Sequence, residues 1–94
     1  MTKTIVIQIG NSDNKLTQQE WAEFVQEMNE VIKNWVSQVH FFGGAAGWEP
    51  WQNVCWVAEI QERNTLPLFD YLAGKRKYYK QDSVAVLIGE TEFI

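Results

Sequence analysis

The apolar residues of one segment, Leu16 to Val36, repeat with the period of an α-helix. Thr17 and Glu20, three positions apart, form a capping box that marks the start of this helix, and Leu16 can pack onto Trp21. An amphipathic helix of this length requires a partner for its apolar face, so we expect the other segments to pack against it. Spacings of three and four residues place the following side chains in one stripe: Trp21, Phe24, Val25, Met28, Val31, Ile32 and Trp35.

Four other segments have the composition and length of β-strands, and a second helix lies between the last two. Thr65 is predicted to cap this second helix, with Pro67 in its first turn. The order β-α-β-β-α-β predicts one α+β domain over residues 1–94 with a ferredoxin-like fold, in which two helices cover one face of a four-stranded antiparallel sheet. The predicted strands are Thr4 to Ile9, Gln38 to Phe42, Val54 to Gln61 and Ser83 to Ile88.

The composition excludes some classes of partner. The net charge of -4 and the pI near 4.8 argue against duplex nucleic acid and anionic membranes, since both require dense positive charge. Cys55 is the single cysteine, so an intramolecular disulfide is excluded. Because the sequence shows neither a signal peptide nor an apolar run of about 18 residues, we expect a cytoplasmic protein.

An acidic stripe lies beside the apolar stripe of the first helix. Glu20, Glu23, Glu27 and Glu30 follow one another at steps of three, four and three residues. Like charges at these spacings destabilise a helix slightly. One interpretation is a solvated helix face whose first Glu serves the cap. The other is an acidic ridge that binds a basic protein surface, such as one that normally holds nucleic acid.

A Gly-rich loop from Gly43 to Asn53 contains Trp48 and Trp51. It lacks the phosphate-binding motifs GxxxxGK[ST] and GxGxxG and has no Lys, so we do not expect it to bind phosphate. The two Trp side chains either fold back onto the core or form an exposed site. In the second case they would act with Glu49 and Gln52 as an anchor for a protein partner or a stacking site for a flat ligand.

The sheet face turned away from the helices is predicted to be apolar. The sequence leaves two alternatives for the second strand: this face holds either His40 and Phe42 or Val39 and Phe41. Such a face is too apolar to remain in water, which predicts a homodimer through the open sheet face or a bound ligand on it. Its other members are predicted to be Val6, Gln8, Cys55, Val57, Ala85 and Leu87.

Candidate catalytic and metal-binding residues are few. His40 is the only histidine, and together with Cys55 it provides too few ligands for a usual metal site. We therefore predict no cofactor and a non-enzymatic binding protein. The alternative is a small-molecule or nucleotide binder, or a small enzyme, of the dimeric α+β barrel type with a pocket lined by His40, Trp48, Trp51 and Trp56.

Three segments carry a resemblance to small proteins of bacteria and their phages. The segments are IGNSDNKLTQQEW (Ile9 to Trp21), PWQNVCW (Pro50 to Trp56) and YYKQDSVAVLIGETEFI (Tyr78 to Ile94). These similar proteins have no assigned activity and no assigned catalytic residues. Because small acidic proteins of mobile elements often bind and block a host protein, the resemblance implies inhibition of a host protein. From the residues themselves we expect the acidic flank of the first helix and the loop with Trp48 and Trp51 to contact that protein.

Overall fold

The sheet has four antiparallel strands in the order β2-β3-β1-β4, and two helices pack on one of its faces. This computed structural model describes residues 1–11, 15–44 and 52–94. The arrangement confirms the predicted ferredoxin-like α+β fold. The elements are β1 (Thr2–Gly10), α1 (Gln18–Trp35), β2 (Gln38–Gly43), β3 (Asn53–Gln61), α2 (Thr65–Tyr78) and β4 (Ala85–Gly89).

The start of α1 is fixed by the predicted capping box. The backbone N–H of Glu20 donates to the hydroxyl oxygen of Thr17 at 3.1 Å, and the carboxylate of Glu20 accepts from the backbone N–H of Thr17 at 2.9 Å. Leu16 and Trp21 on either side of the cap are both buried. These bonds satisfy two groups that a helix start otherwise leaves without partners.

The start of α2 differs from the prediction. A 3₁₀ turn, Glu62–Asn64, leads directly into Thr65, which is the first residue of α2 and not its cap. Asn64 occupies the cap position but makes no side-chain capping bond, and its amide donates to the carbonyl of Trp35 at 3.4 Å. The 3₁₀ turn continues a helical backbone into α2, so no extended residue precedes the helix to cap it.

The core lies between the helices and one face of the sheet. Alternate residues of the two central strands face the apolar stripe of α1 and two leucines of α2, as the period of two in a strand requires. Trp56, in register with Ile7, is fully buried, and its indole N–H donates to the side-chain oxygen of Asn29 at 3.0 Å. The buried set includes Ile5, Ile7, Ile9, Trp21, Phe24, Met28, Ile32, Val54, Trp56, Ala58, Ile60, Leu68 and Leu72.

A β-bulge interrupts the pairing of β2 with β3. Val39 lies opposite Ala58 and Phe41 lies opposite Val57, so two positions of β2 span one step of β3. His40 is the extra residue between them. A bulge of this kind leaves one residue outside the regular ladder and changes which face the following residues occupy.

The bulge determines which side chains of β2 face the helices. The ring of Phe42 stacks on Trp56 with 5.1 Å between ring centroids, and Val39 packs against the core. His40 and Phe41 lie on the opposite, open face. Neither of the two predicted pairings is therefore correct, because each assumed strict alternation along β2.

Candidate interaction surfaces

An apolar row crosses all four strands on the open face of the sheet. Phe41 of β2 lies opposite Val57 of β3, Val57 lies opposite Val6 of β1, and Val6 lies opposite Leu87 of β4. The outer two are strongly exposed, Phe41 at 53% and Leu87 at 68%, while Val6 and Val57 are half-buried. We call these four residues the open-face row. It forms a continuous apolar strip on the side of the sheet that faces away from both described helices.

The strand residues on one side of the open-face row carry no charge. Cys55, Gln8 and Ala85 lie opposite one another on the three neighbouring strands. At the β2 end of this line is Gly43, where an added Cβ would come within 3.1 Å of the Phe41 ring. The ring therefore lies along β2 over a residue that has no side chain, an arrangement that aromatic residues often adopt beside a strand glycine.

The other side of the open-face row carries a polar cluster centred on Glu59. The hydroxyl of Thr4 donates to the Glu59 carboxylate at 2.9 Å, and the Nε2 atom of His40 lies 3.3 Å from the same carboxylate oxygen. Thr4 also forms a hydrogen bond with Thr91. Within the described strands, Glu59 is the only acidic residue on this face. The open face is therefore close to neutral although the chain carries a net charge of -4.

Two of the four glutamates of the predicted acidic stripe are engaged within the chain. Hydrogen bonds from Thr17 lower the pKa of Glu20, the capping residue. The ammonium of Lys75, 2.6 Å away, and the hydroxyl of Tyr79 donate to Glu27 and lower its pKa. Burial and the Glu27 carboxylate raise the pKa of Tyr79, so its hydroxyl stays protonated and continues to donate. These two carboxylates therefore stabilise the fold.

The other two glutamates of this stripe are exposed. Glu23 accepts a hydrogen bond from the side chain of Gln19 at 3.3 Å, within the same helix. Glu30 lies one turn beyond Glu27 and also faces solvent. The acidic surface that remains for a partner is thus about half of the one predicted, and it consists of Glu23 and Glu30.

Of the four predicted binding residues in the loop from Gly43 to Asn53, the structure describes one. Gln52 is only 3% exposed, and its amide oxygen accepts from the side-chain amides of Asn11 at 3.0 Å and Gln18 at 3.1 Å. Gln18 in turn accepts from the Gln52 amide nitrogen at 2.8 Å. Gln52 therefore joins β1, α1 and β3 and is not placed to contact a partner. The other predicted loop residues lie outside the described residues: Trp48, Glu49 and Trp51.

The described residues of the alternative ligand pocket lie on opposite faces of the sheet. Trp56 is buried under the helices, whereas His40 lies on the open face beside Glu59. The sheet separates these two faces, so one cavity cannot be lined by both of these side chains. His40 and Trp56 therefore do not belong to a common pocket.

A groove that the sequence did not predict lies between α2 and the edge strand β4. Its volume is about 350 Å³. The helical wall is formed by residues spaced as one face of a helix, and the strand wall by Val84 and Val86. No local sequence pattern predicted this groove, because it depends on how α2 lies relative to β4. The helical wall comprises Phe69, Leu72, Ala73 and Arg76.

Comparisons with models of protein families, with curated proteins and with solved structures found no match to this chain. Among the described residues, no three His, Cys, Asp or Glu side chains come together in a way that could hold a metal ion. Neither of the described helices has the combined length and apolar character needed to cross a bilayer. The function is therefore argued from the surfaces themselves.

Proposed function

We propose that this chain is a non-enzymatic binding protein that forms a homodimer through the open face of its sheet. The observation that carries the proposal is the open-face row, in which Phe41, Val57, Val6 and Leu87 line up across all four strands. A contiguous apolar strip of this kind on a small domain is typical of a surface that binds another protein.

The charge distribution favours a second copy of the chain as the occupant. Two copies that each carry a net charge of -4 repel one another at most contacts. The open face limits this repulsion because Glu59 is its only described acidic strand residue. Two such faces related by a twofold axis present the same neutral, apolar strip to each other, as an isologous interface requires.

The size of the face predicts a dimer of modest affinity. Strands about 4.8 Å apart and roughly 20 to 30 Å long give a four-stranded face of roughly 400 to 600 Å² on each protomer. The total of roughly 800 to 1,200 Å² lies at the lower end of specific interfaces. We therefore expect a dissociation constant on the order of micromolar.

Dimerisation through the open face leaves the helices on the outside of the assembly. Each protomer then presents Glu23 and Glu30 of α1 to solvent. In our proposal these two carboxylates bind the basic surface of a host protein. Binding blocks the activity of that host protein, as small proteins of phages and mobile elements often do. Charge complementarity of this kind contributes more to association rate and specificity than to affinity.

The dimer is tested by a matched pair of substitutions. Leu87→Lys places a charge in the open-face row. Leu66→Lys introduces the same charge on α2, outside this row, at a leucine of similar exposure: Leu66 is 72% exposed and Leu87 is 68% exposed. Sedimentation velocity from about 1 to 100 μM should show a concentration-dependent dimer for the wild type and for Leu66→Lys, and a monomer for Leu87→Lys. A wild-type protein that remains monomeric over this range would overturn the dimer.

The acidic surface is tested by a second pair with equal changes of charge. Glu23→Gln with Glu30→Gln removes two negative charges, and Ala22→Lys with Gln26→Lys adds two positive charges on exposed positions of the same helix. The stoichiometric protein partner recovered from lysate with the wild type should be lost with the first variant and retained with the second. Equal loss of the partner with both variants would show that binding depends on net charge alone, and it would contradict a specific role for Glu23 and Glu30.

A further inference from the structure

The groove between α2 and β4 has a polar end and an apolar end. Its apolar part lies between Phe69 and Ala73 of α2 and Val86 of β4. The chain turns from the end of α2 into β4, so Arg76, in the last turn of the helix, lies at the same end as Ser83. Ala73, with its small side chain, lies between Phe69 and Arg76 along the helical wall of the groove.

Arg76 supplies a cation at the polar end that has no acidic partner within the described residues. The side chain is half-buried, and its Nη1 donates to the carbonyl of Gln81 at 3.1 Å. A guanidinium carries five N–H donors in a fixed plane, so most of its donors remain for a ligand. The bond to Gln81 holds the guanidinium in place before any ligand arrives, which lowers the entropic cost of binding.

The turn that supports Arg76 is itself well ordered by hydrogen bonds. The backbone N–H of Gln81 donates to the carbonyl of Arg76 at 2.9 Å, and the buried side chain of Gln81 donates to the carbonyl of Tyr79 at 3.1 Å. The position of the guanidinium is therefore determined by the backbone of the turn. A cation held in this way is suited to planar, bidentate recognition of a carboxylate.

One acidic residue also borders the groove and has to be taken into account. Asp82 lies at the polar end, but its carboxylate is paired with the ammonium of Lys15 at 2.9 Å. Its side chain is turned largely into solvent, where water further weakens its repulsion of a bound anion. The charge that a ligand meets inside the groove is therefore that of Arg76.

We propose that this groove binds a small molecule with an apolar body and a carboxylate. The carboxylate pairs with the guanidinium of Arg76, and the apolar body lies along Phe69, Ala73 and Val86. A volume of about 350 Å³ is at the lower end of the range for small-molecule sites. The groove lies on the helix side of the sheet, so this site is separate from the open face and does not depend on the dimer.

Octanoate, octan-1-ol and octylammonium are suitable probes, since they share an apolar chain and differ in the charge of the head group. Each is titrated into the ¹⁵N-labelled wild-type protein and followed by ¹H–¹⁵N NMR spectra. Octanoate should shift amides of α2, the turn after it and β4, and should bind about tenfold or more tightly than octan-1-ol. Octylammonium should bind more weakly than either.

Two substitutions, each with a matched control, locate the binding determinants. Arg76→Gln should weaken octanoate binding about tenfold or more and leave octan-1-ol binding unchanged. Lys77→Gln removes the same charge from the next, exposed residue and should have little effect on either ligand. Ala73→Leu fills the groove and should abolish binding of both ligands, whereas Ala22→Leu, on an exposed position of α1, should not.

Several results would overturn the proposal: octan-1-ol binding as tightly as octanoate, shifts that map to the open face, or equal effects of Arg76→Gln and Lys77→Gln. If Arg76→Gln fails to fold, the comparison of three ligands with the wild type and with Ala73→Leu decides the question alone. Ala73 is exposed, and leucine is almost as good a helix former as alanine, so that variant should fold.

Discussion

The carboxylate of Glu27 lies 2.6 Å from the ammonium nitrogen of Lys75, and this ion pair joins α1 to α2. The hydroxyl of Tyr79, just after the end of α2, donates to the same carboxylate. Both partners favour the ionised form and lower the pKa of Glu27 from its usual value of 4.5. A residue predicted from sequence to belong to an acidic surface is therefore the main polar link between the two helices.

This link makes part of the folding stability dependent on pH. A carboxyl whose pKa is lower in the folded than in the unfolded protein stabilises the fold fully above its unfolded pKa, and the contribution is lost as the pH falls through the folded pKa. Glu27→Gln should lower the free energy of unfolding by about 1 kcal/mol at pH 7, a modest value because the side chain is 35% exposed.

Urea unfolding of the wild type and Glu27→Gln at pH 7 and near pH 3 measures this contribution. The difference between the two free energies of unfolding should shrink at the lower pH. Glu30→Gln, at an exposed position of the same helix, serves as the control and should change stability little at pH 7. A difference for Glu27→Gln that is equal at both pH values would contradict the prediction.

The buried indole of Trp56 depends on one acceptor. Asn29→Ala removes the oxygen that accepts its N–H at 3.0 Å and leaves a buried donor without a partner. We expect a loss of about 1 to 3 kcal/mol in the free energy of unfolding, measured by urea titration. Asn29→Asp keeps an acceptor and should lose less.

Asn34→Ala provides the matched control for this substitution. Asn34 is exposed on the same helix, so its replacement reports the change in helix propensity alone. Alanine is the better helix former by a few tenths of a kcal/mol, and this variant should be slightly more stable than the wild type. Equal destabilisation by Asn34→Ala and Asn29→Ala would show that the indole bond contributes nothing.

Asn11 joins the end of β1 to the start of the first helix. Its side chain accepts from the backbone N–H of Leu16 at 3.0 Å and donates to the carbonyl of Leu16 at 3.1 Å and to the side chain of Gln52 at 3.0 Å. Asn11→Ala removes the side-chain partner of both the backbone N–H and the carbonyl of Leu16, so we expect a loss of about 2 to 3 kcal/mol in the free energy of unfolding.

Thermal unfolding followed by circular dichroism is a suitable measurement for this variant. Asn11→Asp retains the oxygen that accepts from Leu16 but loses the amide donor, and it should lie between the wild type and Asn11→Ala. If Asn11→Ala melts at the wild-type temperature, the network around Gln52 does not contribute to stability.

The parts of the fold that were predicted from sequence depend on neighbours in the chain. The stripe of α1 and the capping box of Thr17 and Glu20 are determined within a few residues, and both are confirmed. The burial of Gln52 was not predicted because it depends on Asn11 and Gln18, which are distant in sequence. Composition indicated a loop there, and only the assembled fold supplies the buried partners.

For the candidate surfaces, too, features determined by neighbours in the chain were predicted and features determined by distant residues were not. The open face was predicted from alternation along β1, β3 and β4, and its apolar members lie where alternation places them. The bulge in β2 was not predicted, because strand pairing and not composition determines where an extra residue is placed. The groove at Arg76 was also missed, since it depends on how far α2 lies from β4 and no local pattern encodes that distance.

The bulge at His40 makes the length of β2 adjustable at one position. Val39 faces the core, Phe41 faces outward, Phe42 faces the core and Gly43 lies opposite Cys55, so these four already alternate as a regular strand once His40 is left out. A deletion of His40 therefore keeps every other side chain of β2 on its present face, whereas a deletion of Phe42 would move Gly43 into the position that faces the core. Position 40 is thus a place where β2 can lose a residue while its core-facing side chains stay the same.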